Sequence, residues 1–249
     1  MTQRYKRQIE LAGFGIDAQS RLARASAMVV GVGAIGSVAA MRLAAAGVGR
    51  LVLVDHDQVE LSNLHRQTYF TMDDLGVNKA KALARRIHDL NPSVKIDPYA
   101  VCADAALATE LATDCDVIID GVDDFAFKLQ LGDIASAADV PYVFGGASGY
   151  LAVVSTVFPR QTPCLRCHFK REMPPPPHGV LGPLPGVTGS LQACEAIKVV
   201  TGVGRPLVKT LQLFNILSGT VECKPFSPWD ECPRCNHDVV RGDNNLNQP

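Results

Sequence analysis

The sequence predicts a doubly wound α/β fold, in which a mostly parallel sheet carries helices on both faces and is extended by antiparallel strands. Three observations predict it. Apolar, strand-like runs alternate with helical stretches between residues 27 and 148. A glycine-rich turn joins the first run to an alanine-rich helix, and polar residues follow the strands, where open α/β sheets bind ligands. After residue 148, apolar and polar residues alternate, as they do in antiparallel strands.

The elements can be assigned in order along the chain. A charged, helical segment extends to about Ala27, and the first buried strand follows it. Residues 51–55 fit a second buried strand, residues 62–70 a loop, and Asn78–Leu90 a helix, because Pro92 lies just beyond it. The remaining strands are expected at residues 94–101, 115–119, 140–148 and 151–158 and in a pair over 210–226, and the last helix at 190–202.

Composition excludes several classes of protein. The 249 residues are 47% hydrophobic, and a formal net charge of −1 gives no positive field that would favour nucleic acid or an anionic membrane. The N-terminus lacks the apolar stretch of a secretory signal, and the Gly- and Ala-rich run at 25–41 is too weakly apolar to span a bilayer. We therefore expect a cytoplasmic protein with no nucleic-acid and no membrane partner, whose eight cysteines stay reduced.

We expect a single domain over residues 1–249 with three parts. Residues 1–26 form a helical arm, residues 27–148 a nucleotide-binding half, and residues 149–240 a second half with a crossing loop at 168–188. The loop is dense in proline and glycine, and the four consecutive prolines Pro174–Pro177 exclude a helix or a central strand there.

The glycine-rich turn has the spacing G-x-G-x-x-G between a strand and a helix. Its positions are Gly31, Gly33 and Gly36, with Ala34 inside the turn. Glycines at this spacing let a phosphate approach backbone N–H groups at a helix N-terminus. Asp55 lies 19 residues after Gly36, at the end of the next strand, where a carboxylate can bind ribose hydroxyls. The turn predicts a nucleotide, most often NAD, and a turn that only packs a helix on a strand is the alternative.

A dense polar loop follows the second strand. Two carboxylates, Asp55 and Asp57, precede a set of polar candidates for nucleotide binding, which are Ser62, Asn63, Arg66 and Gln67. A dehydrogenase requires the ribose carboxylate but not this set. The cations Arg66 and Lys79 are candidates to neutralise a triphosphate, although either residue also fits a solvated surface charge.

A second pair of carboxylates follows the predicted strand at 115–119. Asp123 and Asp124 lie where open α/β sheets bind ligands. A carboxylate at this place suits Mg²⁺, which prefers oxygen ligands and substrate phosphates. The alternative is that these residues cap the next helix, and one of them can do so while the other binds metal.

Two C-x-x-C pairs predict a structural zinc site. The first pair is Cys164 and Cys167, and the second is Cys232 and Cys235. Four thiolates fill a tetrahedral zinc shell and leave no open position for chemistry. A c-type haem, suggested by His168 after Cys167, would leave the second pair unexplained, and a redox dithiol is the other alternative. The remaining cysteines, namely Cys102, Cys115, Cys194 and Cys223, are expected in the core.

Together these motifs resemble the MoeB/ThiF (HesA/MoeB/ThiF) family of adenylyltransferases, which are related to ubiquitin-activating enzymes. The resemblance covers nearly the whole chain. It rests on RYKRQI at 4–9, LSNLHRQ at 61–67, DGVDD at 120–124, GVTGSLQACEAIK at 186–198 and the two cysteine pairs.

The resemblance implies a Rossmann-like homodimer that uses ATP to adenylate the C-terminal glycine of a small ubiquitin-like sulfur carrier ending in Gly-Gly. Residues 149–240 would then bind the carrier and zinc. The roles implied by position are ribose binding for Asp55, Mg²⁺ binding for Asp123, and phosphate contacts for Asn63, Arg66 and Lys79. Arg7 would reach across the dimer to the ATP of the neighbouring subunit.

The sequence departs from the family pattern at three places. Ala34 replaces a glycine, where its methyl group is expected to crowd the phosphates, and Asp124 replaces an asparagine, where it would add negative charge near ATP. No cysteine lies between Cys167 and Cys194, so a covalent sulfur step from the crossing loop is not expected. Two other functions stay open, an NAD(P)-linked oxidoreductase and a nucleotide-binding scaffold with impaired catalysis.

Overall fold

Eight strands form one sheet in a computed structural model that describes residues 3–169, 179–230 and 232–235. In chain order the strands are β1 (Ser26–Val30), β2 (Arg50–Val54), β3 (Lys95–Tyr99), β4 (Val117–Asp120), β5 (Tyr142–Ser148), β6 (Leu151–Val157), β7 (Thr210–Asn215) and β8 (Thr220–Pro225). Their spatial order is β3-β2-β1-β4-β5-β6-β7-β8. Strands β1 to β5 pair in parallel, and the pairs from β5 to β8 are antiparallel.

Eight α-helices accompany the sheet within the described ranges. They are α1 (Lys6–Ile9), α2 (Gly15–Arg24), α3 (Gly36–Ala46), α4 (Lys79–Leu90), α5 (Ala105–Ala112), α6 (Phe125–Ala138), α7 (Leu165–His168) and α8 (Pro183–Thr201). Local signals set their ends. Asn78, Asp104 and Asp124 accept hydrogen bonds from backbone N–H groups at the starts of α4, α5 and α6. Gly47 and Gly202 end α3 and α8 in the left-handed conformation.

The helices cover both faces of the sheet, because successive strand residues point to opposite sides. Val29 of β1 packs in a core with residues of α3, α4 and α8, whereas its neighbour Met28 packs in a second core with residues of α5 and α6. This arrangement confirms the predicted α/β fold, with a parallel sheet extended by antiparallel strands. The division into one domain with three parts stays a prediction.

The predicted start of the last helix is wrong. Helix α8 begins at Pro183, seven residues earlier than expected, so residues 183–188 do not belong to a crossing loop. Proline is tolerated there because the first turn of a helix needs no N–H donor. Gly189 lies against α3, where an added Cβ would be 2.4 Å from the carbonyl oxygen of Ile35. Pro174–Pro177 lie outside the described residues.

The expected burial of three cysteines is also wrong. Cys115 is buried as predicted, but Cys102, Cys194 and Cys223 are exposed. Cys194 lies on the outer face of α8, whose Ala193 and Ala196 pack on the sheet. Within the described residues, none of the helices is both long enough and apolar enough to cross a membrane.

Candidate functional site

The candidate site lies at the carboxyl ends of β1, β2 and β4. The chain runs from β1 to β2 and β3 on one side and then returns to place β4 and β5 on the other. The strand order therefore reverses between β1 and β4. The connections that follow these two strands leave in opposite directions, which opens a crevice between them. The sequence thus brings the glycine-rich turn, the polar loop and the DGVDD segment to one edge.

Three glycines pack backbone against backbone in this crevice. A Cβ on Gly36 or on Gly121 would lie 1.9 Å from the carbonyl oxygen of Gly31. Gly31 itself has φ of +78°, which favours glycine. The turn after β4 is therefore pressed directly against the glycine-rich turn, which brings the backbone of Gly121 and Val122 beside it.

Gly33 is different, because the protein itself leaves room for a side chain. An added Cβ would be 3.5 Å from the Nε2 atom of Gln67, an ordinary contact. A glycine here is explained by close approach of a ligand to the backbone. Ala34 does not have a left-handed backbone, so its methyl group is accommodated without strain.

The carboxylate of Asp55 is held by the backbone. One oxygen accepts the Val32 N–H at 2.8 Å, and the other accepts the Asp57 N–H at 2.8 Å. Burial raises the pKa of Asp55, although the two backbone hydrogen bonds and Lys79 oppose that shift. The side chain is thus fixed at the end of β2, where a ribose would meet its remaining lone pairs.

Asp57 and Lys79 form an ion pair beside Asp55. The Nζ atom of Lys79 lies 2.7 Å from a carboxylate oxygen of Asp57, and its side chain is 7% exposed. The Lys79 hydrogen bond lowers the pKa of Asp57, so that carboxylate stays ionised. A buried ammonium at the crevice can be shared between this carboxylate and an anionic ligand.

The loop at residues 61–67 carries the other polar candidates. Asn63 is buried and accepts the Glu60 N–H through its side-chain oxygen at 3.3 Å. The guanidinium of Arg66 donates to the carbonyl of Ser62 at 3.0 Å. Gln67 is buried, and its side-chain oxygen has no hydrogen-bond partner in the described part of the chain. That orphaned acceptor beside Gly33 fits a site for a ligand with a donor group.

The two carboxylates after β4 have different surroundings. Asp124 caps α6 by accepting the Phe127 N–H at 2.7 Å, which was one of the two roles expected for this pair. Asp123 is exposed and makes no hydrogen bond or ion pair within the described residues. Its carboxylate is therefore available to a ligand at the crevice, while Asp124 is engaged by the helix.

Sequence reasoning missed a buried ion pair directly beneath this turn. The Nζ atom of Lys128 lies 2.9 Å from the nearer carboxylate oxygen of Asp120, and both residues are buried. Lys128 also donates to the carbonyl oxygen of Gly145 at 2.8 Å. A lysine between Phe127 and Leu129 in an apolar helix was the available signal, because a buried lysine needs a partner.

The four cysteines of the two pairs lie together. Their Sγ atoms are all within 4.8 Å of one another, and the measured contacts run from 3.3 to 3.9 Å. Sulfur atoms on a zinc tetrahedron with ~2.3 Å bonds would be about 3.8 Å apart. Hydrogen bonds from Cys164 and Cys235 lower the pKa of Cys167, and the hydrogen bonds of Cys164 to Cys167 and Cys235 raise the pKa of Cys164. The donor set and spacing fit zinc.

Both cysteine pairs contain an arginine at the third position, and both arginines bind one carboxylate. Arg166 makes two hydrogen bonds to Asp133 of α6 through its Nε atom at 3.0 Å and a third through Nη2 at 2.8 Å. The Nε atom of Arg234 lies 3.3 Å from the same carboxylate. Asp133 thereby ties the two sequence-distant pairs to α6, which the sequence did not reveal.

Arg7 lies far from the crevice of its own chain. The neighbouring Gln8 donates to the carbonyl oxygen of Ala46, at the end of α3 opposite to Gly36. Because α3 rises 1.5 Å per residue, these two ends are about 15 Å apart. Arg7 is exposed and makes no ion pair within the described residues.

Comparison with known proteins identifies the family. The ThiF family profile matches residues 5–234. The chain belongs to the ThiF family. Because the resemblance seen in the sequence named this family, that prediction is confirmed, and the match extends from the N-terminal arm to the second cysteine pair.

Curated members of the ThiF family match the chain over most of its length. The sulfur carrier protein adenylyltransferase of Thermus thermophilus is 38% identical, over 96% of this chain and 92% of the relative. The SAMP-activating enzyme E1 of Haloferax volcanii is 36% identical, over 95% and 90%. The adenylyltransferase and sulfurtransferase MOCS3-1 of Zea mays is 38% identical, but the chain spans only 53% of it. These names agree with the expected class of enzyme, an adenylyltransferase.

Solved structures share the fold of this ThiF-family chain. Escherichia coli MccB, crystallised with ATP, superposes with a TM-score of 0.82 over 93% of this chain and 74% of that chain. The two sequences are 23% identical, so the likeness concerns the fold. It supports the observed sheet order and its antiparallel extension.

Proposed function

We propose that this ThiF-family chain uses ATP to adenylate the C-terminal glycine of a small ubiquitin-like carrier protein that ends in Gly-Gly. The observation that supports the proposal is the close backbone contact between Gly31 and Gly121, which lies two residues before the exposed Asp123 and at a turn with the glycine spacing of a phosphate-binding loop. An NAD-linked dehydrogenase has no use for an anionic side chain at that point. Two relatives of nearly equal length support the choice, one named a sulfur carrier protein adenylyltransferase and the other a SAMP-activating enzyme E1.

The reaction needs positioning and charge neutralisation rather than a general base. The terminal carboxylate of the carrier attacks the α-phosphorus of ATP, the bond to the bridging oxygen breaks, and pyrophosphate leaves with that electron pair. The attacking oxygen is already ionised, so no proton has to be removed. In our proposal Lys79, Arg66 and Asn63 contact the phosphates, while Gly31, Gly33, Ala34 and Gly36 supply the turn around them.

The remaining polar residues orient the nucleoside and the metal. Asp55 binds the ribose with a carboxylate already fixed by two backbone N–H groups. Gln67, Ser62 and Asp57 complete the rim of the crevice. The exposed oxygens of Asp123 fit Mg²⁺, which would neutralise charge on the triphosphate. Asp124 contributes through its cap on α6 and its negative charge.

The four cysteines, in our proposal, hold a structural zinc ion. A tetrathiolate site leaves no position for a substrate, and its knuckles join residues 164–167 to residues 232–235. A c-type haem at Cys164, Cys167 and His168 would not use the second pair. His168 packs edge-on against the rings of Phe169 and Phe226, whose centroids lie 4.5 and 4.8 Å from that of the imidazole. These contacts indicate that His168 is a packing residue and not a haem ligand.

We further propose a homodimer in which Arg7 completes the site of the neighbouring subunit. Within one chain, Gln8, the neighbour of Arg7, contacts the end of α3 that lies opposite to the glycine-rich turn, and the two ends of α3 are about 15 Å apart. An arginine side chain cannot span that distance and still contact phosphates. Contact across a dimer interface resolves this, and it would contribute a transition-state charge worth about 10³ or more in rate.

We propose adenylation as the whole of the activity, with sulfur supplied by another protein. The sequence between Cys167 and Cys194 contains no thiol that could form a thioester or persulfide from the crossing loop. The molecule would thus end its reaction at the acyl-adenylate. The identity of the carrier protein would determine the pathway that the enzyme serves. A cytoplasmic location fits an ATP-dependent reaction.

Pyrophosphate exchange into ATP tests the proposed function. We expect exchange that depends on both Mg²⁺ and a carrier ending in Gly-Gly, and no exchange with a carrier that lacks its last glycine. Asp123→Asn should reduce the rate on the order of 10²-fold or more, because a metal-binding charge is lost. Asp73→Asn, an exposed acid elsewhere, is the matched control. Tight NAD binding without exchange would support the oxidoreductase, and ATP binding without exchange would support the scaffold.

A further inference from the structure

The turn that carries Asp123 rests on a buried charge cluster. Asp120 ends β4 and is fully buried, and the ammonium of Lys128 contacts both of its oxygens, at 3.0 and 2.9 Å. A buried carboxylate is costly unless it is paired and fully hydrogen-bonded. Because burial of this ion pair is costly, its position directly under the crevice indicates a role in the site.

The carboxylate of Asp120 also holds the turn. The oxygen that Lys128 contacts at 3.0 Å accepts the Val122 N–H at 3.0 Å. That hydrogen bond closes the chain over Asp120 and fixes the Gly121–Val122 peptide, one residue before Asp123. Two contacts thus hold the turn in place: the hydrogen bond from Val122 to the Asp120 carboxylate, and the backbone contact between Gly31 and Gly121.

Lys128 and Gln192 tie this cluster to two other elements, β5 and α8. Lys128 reaches from α6 to the carbonyl oxygen of Gly145 on β5 at 2.8 Å. Gln192 reaches from α8 to the carbonyl oxygens of Asp120 and Val143 at 2.8 and 3.1 Å. The ends of β4 and β5 are consequently locked to two helices, one on each face of the sheet.

We infer that Lys128, acting through Asp120, is a positioning residue that sets the geometry of the Asp123 turn for the magnesium-bound nucleotide. The inference rests on the proposed function, since it assigns Asp123 to the metal. Lys128 touches no substrate in this scheme. It aims the Asp120 oxygen at the Val122 N–H, and the ordered turn then presents Asp123 at a fixed distance from the glycine-rich turn.

Two variants separate positioning from simple structural support. Lys128→Met removes the ammonium but leaves a buried carboxylate, so it destabilises the protein in either case. The double variant Asp120→Leu with Lys128→Met removes both charges and replaces the carboxylate with a group of the same shape. Its stability should recover, because an apolar pair can substitute for a buried ion pair, but the Val122 N–H stays without its acceptor.

The readout is the Mg²⁺ concentration that gives half-maximal pyrophosphate exchange. For both variants we expect it to rise about tenfold or more, the usual effect of losing a group that orients a metal ligand. Hydrogen exchange of a peptide spanning residues 121–124 should also become faster. Arg50→Met is the matched control, because it breaks a 2.6 Å ion pair with Asp97 at the opposite edge of the sheet.

The outcomes distinguish this inference from the proposed function. A double variant that is stable and active, with the magnesium dependence and peptide exchange of the wild type, overturns the positioning role and leaves adenylation intact. The same shift in Arg50→Met would also overturn it, because the effect would then be general. A wild-type protein without any exchange overturns adenylation itself, and the metal assignment of Asp123 with it.

Discussion

Substituting alanine for two glycines of the crevice should separate folding from nucleotide binding. At Gly121, the added Cβ would lie 1.9 Å from the carbonyl oxygen of Gly31. Neither atom belongs to a flexible side chain, so the two turns must move apart. At Gly33, the nearest atom would be 3.5 Å away, and the free protein can accept the methyl group without rearrangement.

The magnitudes follow from these contacts. Overpacking of this kind costs about 1–3 kcal/mol and sometimes more, and the backbone contact puts Gly121→Ala at about 3 kcal/mol. For a chain of 249 residues this lowers the melting temperature by about 6–12 °C. Gly33→Ala should change the free energy of unfolding by less than about 1 kcal/mol, since neither strain nor a clash is introduced.

The assay is thermal unfolding with and without ATP and Mg²⁺. At a hundredfold excess over its dissociation constant, ATP should stabilise the wild type by about 2.7 kcal/mol, or about 5–11 °C. Gly33→Ala should keep the melting temperature of the free protein but lose most of this shift, because its methyl group occupies the path of the phosphates. A full ATP shift in Gly33→Ala would refute phosphate binding at this turn, and an unchanged melting temperature in Gly121→Ala would refute the packing argument.

Three further predictions concern the cysteine cluster, acid stability and the dimer. Asp133→Asn removes the carboxylate shared by the two knuckle arginines, so a chromogenic chelator should extract zinc about 10–100-fold more readily. Lys79 lowers the pKa of Asp57 in the folded protein. The ionised Asp57 therefore stabilises the folded protein above the pKa of the unfolded chain, and this stabilisation is lost as the pH falls through the pKa of the folded state. Asp57→Asn should accordingly lose less thermal stability than the wild type below about pH 4. Mixed dimers of Arg7→Ala and Asp123→Asn subunits should regain about half of the wild-type exchange rate, because one of their two sites is complete.

Each of these has a control. Asp139→Asn, at the exposed end of α6, should leave zinc extraction unchanged, and an equal effect would argue against the shared carboxylate. An acid profile identical to the wild type would mean that the Asp57 ion pair is screened by solvent, as exposed pairs often are. Mixed dimers as inactive as their parents would mean that Arg7 does not act on the neighbouring subunit.

Much of the fold was predictable because its signals are local. The β1 run, the glycine spacing and the first turn of α3 follow one another within eleven residues, Ser26–Gly36. Asn78 and Pro92 bracket α4 in the sequence as they do in the structure. Such patterns are local, because the backbone geometry at each residue depends mainly on its own side chain and on those of its sequence neighbours. The early start of α8 does not follow from the sequence pattern, because proline and glycine favour loops in general, whereas Pro183 lies in the first turn of the helix and Gly189 packs against α3.

The site was predictable as a list of residues but not as a set of contacts. Asp123 and Asp124 are equivalent in sequence, and only the start of α6 distinguishes the capping residue from the free one. The pairing of Asp120 with Lys128 depends on how α6 docks against β4 and β5, which a linear pattern does not encode. The role of Asp133 likewise depends on the fold, because its two arginine partners come together only when residues 164–167 and 232–235 meet.

Helix α6 connects the candidate nucleotide site to the cysteine cluster. It begins at the cap residue Asp124, buries Lys128 under the crevice, and presents Asp133 to the cysteine cluster. With a rise of 1.5 Å per residue, the cap and Asp133 are only about 14 Å apart along the helix. A metal site without an open ligand position has no chemistry to perform, but it can fix the far part of a helix whose first residues order the Asp123 turn. The proposed zinc site and the proposed nucleotide site are therefore linked through one helix.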